Sequence, residues 1–386
     1  MSGYITSVGI SCPPYRFRQG ALAEFMAESA GMNPQEKQRL MALYRTSGIK
    51  YRHSVLADFG KQYRFFSQSS EKQCQPDVSD RMKVYRQYAP LLSVQAIKEC
   101  LHEHENINEK DITHLITVSC TGMYAPGLDI DIVRELGLSF SVQRTSVNFM
   151  GCYAAFNGLK LASSIVAANP EANVMVVCVE LCTLHYLPGT EEEQMLANAL
   201  FADGAAAALV QSHADGQPAL EIQSSFCDLL PDGSGDMSWE IQNQAFAMRL
   251  SAYVPELLRK GVGKLSALMV NKLSCHIKEI GLFAIHPGGK RILEVTEEEF
   301  GIDRNDNRYA WEVMRNYGNM SSATILFILH RILQEQQDCS SPQKILAMAF
   351  GPGLTLESMV MNFVPNYNSN INHKKGKLHG YIQSKV

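Results

Sequence analysis

Met150-Gly151-Cys152, the small-residue run Ala154 to Ala168 and the apolar run Asn173 to Val179 decide the fold, because all three recur later in the chain. Gly318-Asn319-Met320, the run Ser322 to Gln334 and the run Lys344 to Phe350 repeat the same order. That order is a polar residue after glycine, then a helical pattern, then a buried strand. Each copy also follows an apolar, β-branched run. His114-Leu-Ile-Thr-Val-Ser-Cys120 ends at Thr121-Gly122, and Leu282-Phe-Ala-Ile-His286 ends at Pro287-Gly288-Gly289. Thirty-two residues separate Cys120 from Cys152, and thirty-three separate His286 from Asn319. The offset between copies, about 166 residues, is too long for a solenoid repeat. Apolar strands alternating with helices predict an α/β fold with strands covered on both faces.

Outward from the repeat, the 386 residues divide into a first half, 1–215, a second half, 216–365, and a polar tail, 366–386, expected to be mobile. Tyr4 to Ile10 reads as a strand, and residues 20–46 and 89–104 read as helical. His102 and His104 lie two apart, off a common helix face, so they read as solvated and not as metal ligands. Residues 211–240 are turn-rich and join the halves. A composition of 46% apolar and 19% charged residues supports a large core. A net charge of −4 argues against a nucleic-acid binder. Ten cysteines include no C-x-x-C pair, which leaves zinc ribbons and thioredoxin motifs without support. The start, Met1-Ser-Gly-Tyr-Ile-Thr, lacks the regions of a signal peptide, and no run approaches a membrane span. A cytoplasmic protein with reduced thiols is expected.

Three residues stand out chemically. Cys152 is placed at a helix start after glycine, where free N–H groups and the helix dipole favour a thiolate. His286 ends a buried strand, where sites gather in open α/β sheets. Asn319 holds in the second copy the place of Cys152 in the first. The duplication predicts that the three meet, as nucleophile, base and oxyanion donors.

Six motifs then carry a resemblance over about residues 1–365. They are Val118-Ser-Cys-Thr-Gly-Met-Tyr-Ala-Pro-Gly-Leu-Asp129, Asn148-Phe-Met-Gly-Cys-Tyr-Ala-Ala155, Asn198-Ala-Leu-Phe-Ala-Asp-Gly-Ala-Ala-Ala207, Ile285-His-Pro-Gly-Gly289, Tyr317-Gly-Asn-Met-Ser-Ser322 and Phe350-Gly-Pro-Gly353. The sequence resembles the type III polyketide synthases of the chalcone-synthase superfamily, and its details resemble bacterial members. The resemblance implies a thiolase-like fold, two duplicated halves in a five-layered αβαβα arrangement. It implies that Cys152 takes an acyl group from CoA, that His286 keeps it as thiolate, and that His286 and Asn319 hold the malonyl-CoA thioester oxygen during decarboxylation. It makes Phe201 a gate, with Met248 at the second gate position. Phe350 and Gly353 fall in a loop shaping the cavity wall. Cys120 falls in the pocket floor, His185 where plant members have a threonine, and Ala125 where they send a methionine into the neighbouring subunit. An open floor and a methionine gate point to a long acyl chain. Arg39, Arg45, Lys50 and Arg52 are candidate CoA contacts. Acyl-CoA and malonyl-CoA are the implied substrates, with no resident cofactor or metal, and a homodimer is the implied assembly. The implied products are alkylpyrones or alkylresorcinols.

Rival readings stay open on the residues alone. A cysteine peptidase also uses Cys, His and Asn in this chain order, but an internal duplication and a mid-chain nucleophile count against it. Within the fold, a ketosynthase III-like enzyme or another acyltransferase is the alternative, and Gly-Asn-Met-Ser-Ser around Asn319 favours the polyketide branch. 3-Hydroxy-3-methylglutaryl-CoA synthase shares the fold but needs a catalytic glutamate that none of these motifs places. An inactive partner subunit would not need the complete Cys/His/Asn set.

Overall fold

The computed structural model describes residues 2–365 except 69–70, 72–73, 105, 234, 252, 274, 338 and 340, and the tail 366–386 lies outside the described residues. The chain opens with β1 (Tyr4–Ser11) and a hairpin, β2 (Tyr15–Arg18) and β3 (Tyr51–Ser54), that encloses α1 (Gln19–Ser29) and α2 (Pro34–Thr46). Then come α3 (Val78–His102), β4 (His114–Ser119), α4 (Leu128–Leu136), β5 (Gln143–Asn148), α5 (Ala154–Ala168), β6 (Val174–Leu181), α6 (Glu192–Leu200) and β7 (Asp203–Gln211). The second half runs β8 (Ala219–Leu229), a ribbon of β9 (Met237–Ile241) and β10 (Phe246–Leu250), α7 (Val254–Leu273) and β11 (Ile280–Ile285). It ends with α8 (Lys290–Phe300), α9 (Arg308–Tyr317), α10 (Ala323–Gln336), β12 (Gln343–Gly351) and β13 (Thr355–Val364).

Nine strands form one sheet in the order β11-β12-β13-β8-β1-β7-β6-β4-β5. The halves meet where β1 pairs with β8 at Tyr4–Glu221 and Ile5–Leu220. Equivalent strands pair with equivalent polarity. β4 is parallel to β6 as β11 is to β12, and β6 is antiparallel to β7 as β12 is to β13. Strand alternation sends alternate side chains to opposite faces. Along β6, Met175, Val177 and Val179 join the core under α1 to α4, while Val174, Val176 and Cys178 join the core on the other side. α5 lies between the halves, touching β4, β6 and β13, and α10 lies beside it, touching β1, β7 and β11. α3 covers β1, β6 and β7 from outside, and α7 and α8 add Leu258 and Leu293 to the core around β11. With α5 and α10 between its first-half and second-half strands, the one sheet supplies both β layers of an αβαβα arrangement, a thiolase-like fold.

Three expectations change. The helical stretch 20–46 is two helices: Gly31 breaks it at φ +61°, and Asn33 restarts it with a capping box to Glu36 ahead of Pro34. The turn-rich stretch 211–240 holds β8, an inner strand paired with β13 and β1. Its partly exposed, serine-bearing face hides the apolar alternation. His104 is buried, not solvated, with Nε2 3.0 Å from Gln211 Oε1, while His102 is exposed. Among the described residues, no helix is long and apolar enough to cross a membrane.

Candidate active site

The loop after β5 carries Cys152. Gly151 turns the backbone at φ +87°, and a Cβ there would lie 2.3 Å from Cδ of Pro352, so only glycine lets the second half's loop close over it. Its N–H donates to Cys120 Sγ at 3.1 Å. Cys152 follows, buried, two residues before α5.

His286 directly follows β11, its N–H donating to Met348 O at 2.8 Å. The ring is fully buried, yet neither ring nitrogen has a hydrogen-bond partner. A buried polar group in that state carries a cost of ~1–3 kcal/mol, which a ligand oxygen would relieve. Asn319 is not on α10 but four residues ahead of it, in a bridge to Phe201. Its N–H donates to Leu200 O at 2.9 Å and its carbonyl accepts from Ala202 N–H at 2.8 Å. Its side-chain Oδ1 accepts from Ser321 N–H at 2.8 Å, leaving Nδ2 as the donor available to the site. Cys152, His286 and Asn319 line one pocket, with Ser321, Phe350, Pro352 and Cys120 also on its wall. The structure thus brings together the three residues that the repeat predicted to meet.

The expected dipole effect on Cys152 does not win. Burial pushes its thiol up to about 12, against smaller downward pulls from hydrogen bonds to Ser321 and Asn319. Burial alone pushes His286 down to about 3. Both shifts have one cause, the cost of an isolated charge in a dry site. Taken singly, neither the thiolate nor the imidazolium is favoured in this site.

Below the pocket floor lies a group that the sequence reading passed over. Glu180, fully buried at the end of β6, accepts from Cys120 N–H at 3.0 Å, Thr121 Oγ1 at 2.9 Å and Ser322 Oγ. Burial raises its pKa, and these donors lower it. It ties the ends of β4 and β6 to the start of α10. A carboxylate inside the apolar run Val174 to Leu181 was the available signal.

The inner pocket adjoins an outer one, and Phe201, Met248, Trp239 and Cys182 line both. Phe201 and Met248 thus sit on the wall between two spaces. Trp239 and Met237, on the ribbon, were not anticipated; one tryptophan in a turn-rich stretch gives no pattern to read. His185 lines the outer pocket and not the inner one. Ala125 is exposed and lines neither pocket, and Pro352, not Gly353, reaches the inner wall.

Of the candidate CoA contacts, Arg39, Arg45 and Lys50 are exposed on α2 and the segment after it. Arg52 is buried, and its Nη1 donates to Phe201 O at 2.6 Å and Asn198 O at 2.7 Å. It positions the Phe201 loop. A third pocket shares Leu250, Gly288 and Ile292 with the inner one, and its cations are Lys290 and Arg291, with Glu294 beside them. None of the four anticipated cations lines it. Among the described residues, no group of three or more His, Cys, Asp or Glu is placed to hold a metal ion.

A family model for the N-terminal domain of chalcone and stilbene synthases matches residues 2–214, and one for the C-terminal domain matches residues 221–365. The chain is 31% identical over 338 residues to the alpha-pyrone synthesis polyketide synthase-like Pks18 of Mycobacterium tuberculosis, covering 86% of this chain and 84% of that one. It is 26% identical to a putative chalcone synthase of Bacillus subtilis, over 93% of this chain and 98% of that one. The crystal structure of a polyketide synthase from the brown alga Ectocarpus siliculosus superposes with a TM-score of 0.88 at 27% identity, over 94% of this chain and 98% of that one. The C-terminal type III polyketide synthase domain of Steely1 from Dictyostelium gives 0.85 at 27% identity, over 94% of this chain and all of that one. The chain belongs to the chalcone and stilbene synthase family and is a type III polyketide synthase, an acyltransferase.

Proposed function

We propose that the enzyme loads an acyl group from acyl-CoA onto Cys152 and extends it with malonyl-CoA to an alkylpyrone or alkylresorcinol. One observation carries the reading: His286 has two unpartnered ring nitrogens, and Asn319 has its oxygen occupied so that Nδ2 is the donor it turns to the buried thiol of the same pocket. Since each isolated charge is disfavoured there, thiol and imidazole exchange a proton as a pair, forming thiolate and imidazolium together. The thiolate attacks the starter thioester and CoA leaves. Malonyl-CoA then loses CO₂, and its electron pair moves onto the thioester oxygen, held by His286 and Asn319. Each such donor is worth ~2.7–4 kcal/mol. The enolate carbon attacks the acyl group on Cys152, and the sulfur departs as thiolate, ready for another round.

The pyrone product rests on the 31% identity to the mycobacterial relative, which is named for alpha-pyrone synthesis. The CoA moieties enter by the third pocket, where Lys290 and Arg291 stand, paired with Glu294 and, for Arg291, also with Glu298, partners that the CoA phosphates would displace. A homodimer is part of the proposal: β5 is an edge strand with mostly exposed residues, and Phe140 beside it is 89% exposed. The cytoplasm is its proposed location, in accord with ten free thiols. The test is malonyl-CoA with a panel of acyl-CoAs. CO₂ and CoA should be released and an extended pyrone or resorcinol formed, with the acyl group found on Cys152 by peptide mass spectrometry. No CO₂ above a His286→Ala control sinks the reading, and labelling of Cys120 in place of Cys152 overturns the choice of nucleophile.

A further inference from the structure

The end of α6 is closed by groups from outside the helix. A helix leaves its last carbonyls without partners of its own. Here they belong to Asn198, Ala199 and Leu200, and Phe201 follows as the cap residue. Arg52 Nη1–H donates to Asn198 O at 2.7 Å and to Phe201 O at 2.6 Å. Gln19 Nε2–H donates to Ala199 O at 2.8 Å. Leu200 O accepts from the N–H of Asn319 at 2.9 Å. One of the four carbonyls thus ties α6 to the oxyanion donor of the reading above, and Arg52 holds the first and the last of the four.

Arg52 also backs the other side of that link. A Cβ on Gly318 would fall 2.9 Å from Cγ and 3.0 Å from Cδ of Arg52, so the arginine stem lies against the residue before Asn319. Asn319 O accepts from Ala202 N–H at 2.8 Å and completes the bridge to Phe201. Arg52 Nε–H donates to Gln19 Oε1 at 2.9 Å, so the two caps brace each other. The stem supports the Asn319 turn, and the fork holds the segment with which Asn319 pairs.

A buried guanidinium is costly, and Arg52 is 3% exposed. Burial works against its charge, while Tyr44 and Asp203 favour it. Its hydrogen bonds go to backbone carbonyls and a side-chain amide. That is the pattern of a cation closing a helix C-terminus, where the dipole is negative. A planar fork serves several acceptors at once, whereas a lysine ammonium is a single point charge. We propose that Arg52 is a positioning residue for decarboxylation: it fixes Asn319 against the end of α6 and so sets where the Asn319 amide meets the malonyl thioester oxygen. This rests on the condensing-enzyme reading above.

The test reads two half-reactions separately. Loading is the rate at which an acyl-CoA alone acylates Cys152, by intact-mass measurement. Decarboxylation is the CO₂ released by the acylated enzyme at saturating malonyl-CoA. Arg52→Met should slow decarboxylation about 10- to 100-fold, the effect of a small misplacement, and leave loading within about threefold. In an Asn319→Ala background, where the amide is gone, Arg52→Met should change decarboxylation by less than about twofold. Arg52→Lys keeps the charge without the fork and should recover part of the loss. Equal losses of loading and decarboxylation, or the same further loss without the Asn319 amide, overturn the proposal. Should Arg52→Met not fold, Gln19→Leu decides, because it frees Ala199 O and removes the brace on Arg52 Nε. Decarboxylation should then fall about 3- to 10-fold, and only while Asn319 is present. A Gln19→Leu enzyme with the wild-type rate, or with equal losses in both backgrounds, overturns the proposal. A wild-type enzyme that releases no CO₂ with any starter overturns the condensing reading itself.

Discussion

The two halves place different residues at equivalent positions, and the comparison separates scaffold from chemistry. Cys120 ends β4 as His286 ends β11. Cys120 is satisfied: its N–H reaches Glu180 and its sulfur accepts from Gly151 N–H. His286 is equally buried, and its ring has no partner. Gly151 precedes Cys152 as Gly318 precedes Asn319, both at positive φ, +87° and +75°. Each glycine makes room for the opposite half, Gly151 for Pro352 and Gly318 for Arg52 and Leu200 O. The duplication supplies a reciprocal frame in which each half holds the other's reactive loop. Working residues are those the frame leaves unsatisfied.

The sharpest way to break that comparison is to exchange roles between the cysteines. Cys152→Ala should lose the acyl-enzyme in intact-mass measurements and at least ~10³-fold of turnover. Cys120→Ala should keep turnover within a few-fold and lose ~1 kcal/mol of stability in urea, since Gly151 N–H loses its acceptor. Equal losses of turnover would end the distinction. Next in size, Asn319→Ala should cut malonyl-CoA decarboxylation ~10²–10³-fold while Cys152 still accepts an acyl group. Loss of loading as well would mean that Asn319 acts first on the thiol, to which it also hydrogen-bonds.

The glycines test the frame itself. Gly151→Ala sets a Cβ 2.3 Å from a proline carbon in a left-handed conformation, so a loss of ~2–4 kcal/mol is expected. Gly318→Ala, also at positive φ, meets Cγ and Cδ of the bonded Arg52 at 2.9–3.0 Å and Leu200 O at 3.0 Å, all longer approaches than 2.3 Å, and should cost less. Chemical denaturation midpoints of the two variants give the order, and the reverse order would refute the packing argument.

Much of this frame was legible beforehand because strand and helix periodicity repeats wherever burial is two-sided. β4, β6, β11 and β12 are apolar runs, and equal spacing from Cys120 to Cys152 and from His286 to Asn319 marks one unit used twice. β8 stayed hidden because half its residues face away from the core. Trp239 stayed hidden because its role depends on how the ribbon folds over β4, a long-range placement that no local pattern encodes. Arg52 looked like a free cation because charge is visible in a sequence, while the carbonyls that capture it are 146 and 149 residues away. The Cys152 pKa went the other way for a similar reason. Proximity to a helix start can be read locally, but burial by the opposite half cannot.

The smallest expected effects lie in the loops that join equivalent strands. In the first half, residues 182–202 connect β6 to β7 and carry much of the outer pocket; in the second, residues 352–354 connect β12 to β13. The anchors differ accordingly. Asp203, at the start of β7, accepts from Val55 N–H, Thr183 N–H and Thr183 Oγ1 at 2.7–2.9 Å, binding a long loop to the hairpin. Thr355, at the start of β13, donates to Pro352 O at 2.9 Å within its own turn. Burial raises the Asp203 pKa from 3.8 to about 6. Between those values the unfolded chain has released this proton and the folded one retains it. Asp203 therefore makes stability fall as pH rises through about 4 to 6, by on the order of 3 kcal/mol. Asp203→Asn should flatten that part of a stability-against-pH curve from urea denaturation. Thr355→Val should lower the whole curve by ~1 kcal/mol without changing its slope, because the bond it removes does not titrate. An Asp203→Asn curve as steep as wild type would place the proton elsewhere, and would leave the long loop held by hydrogen bonds alone, as the short one is.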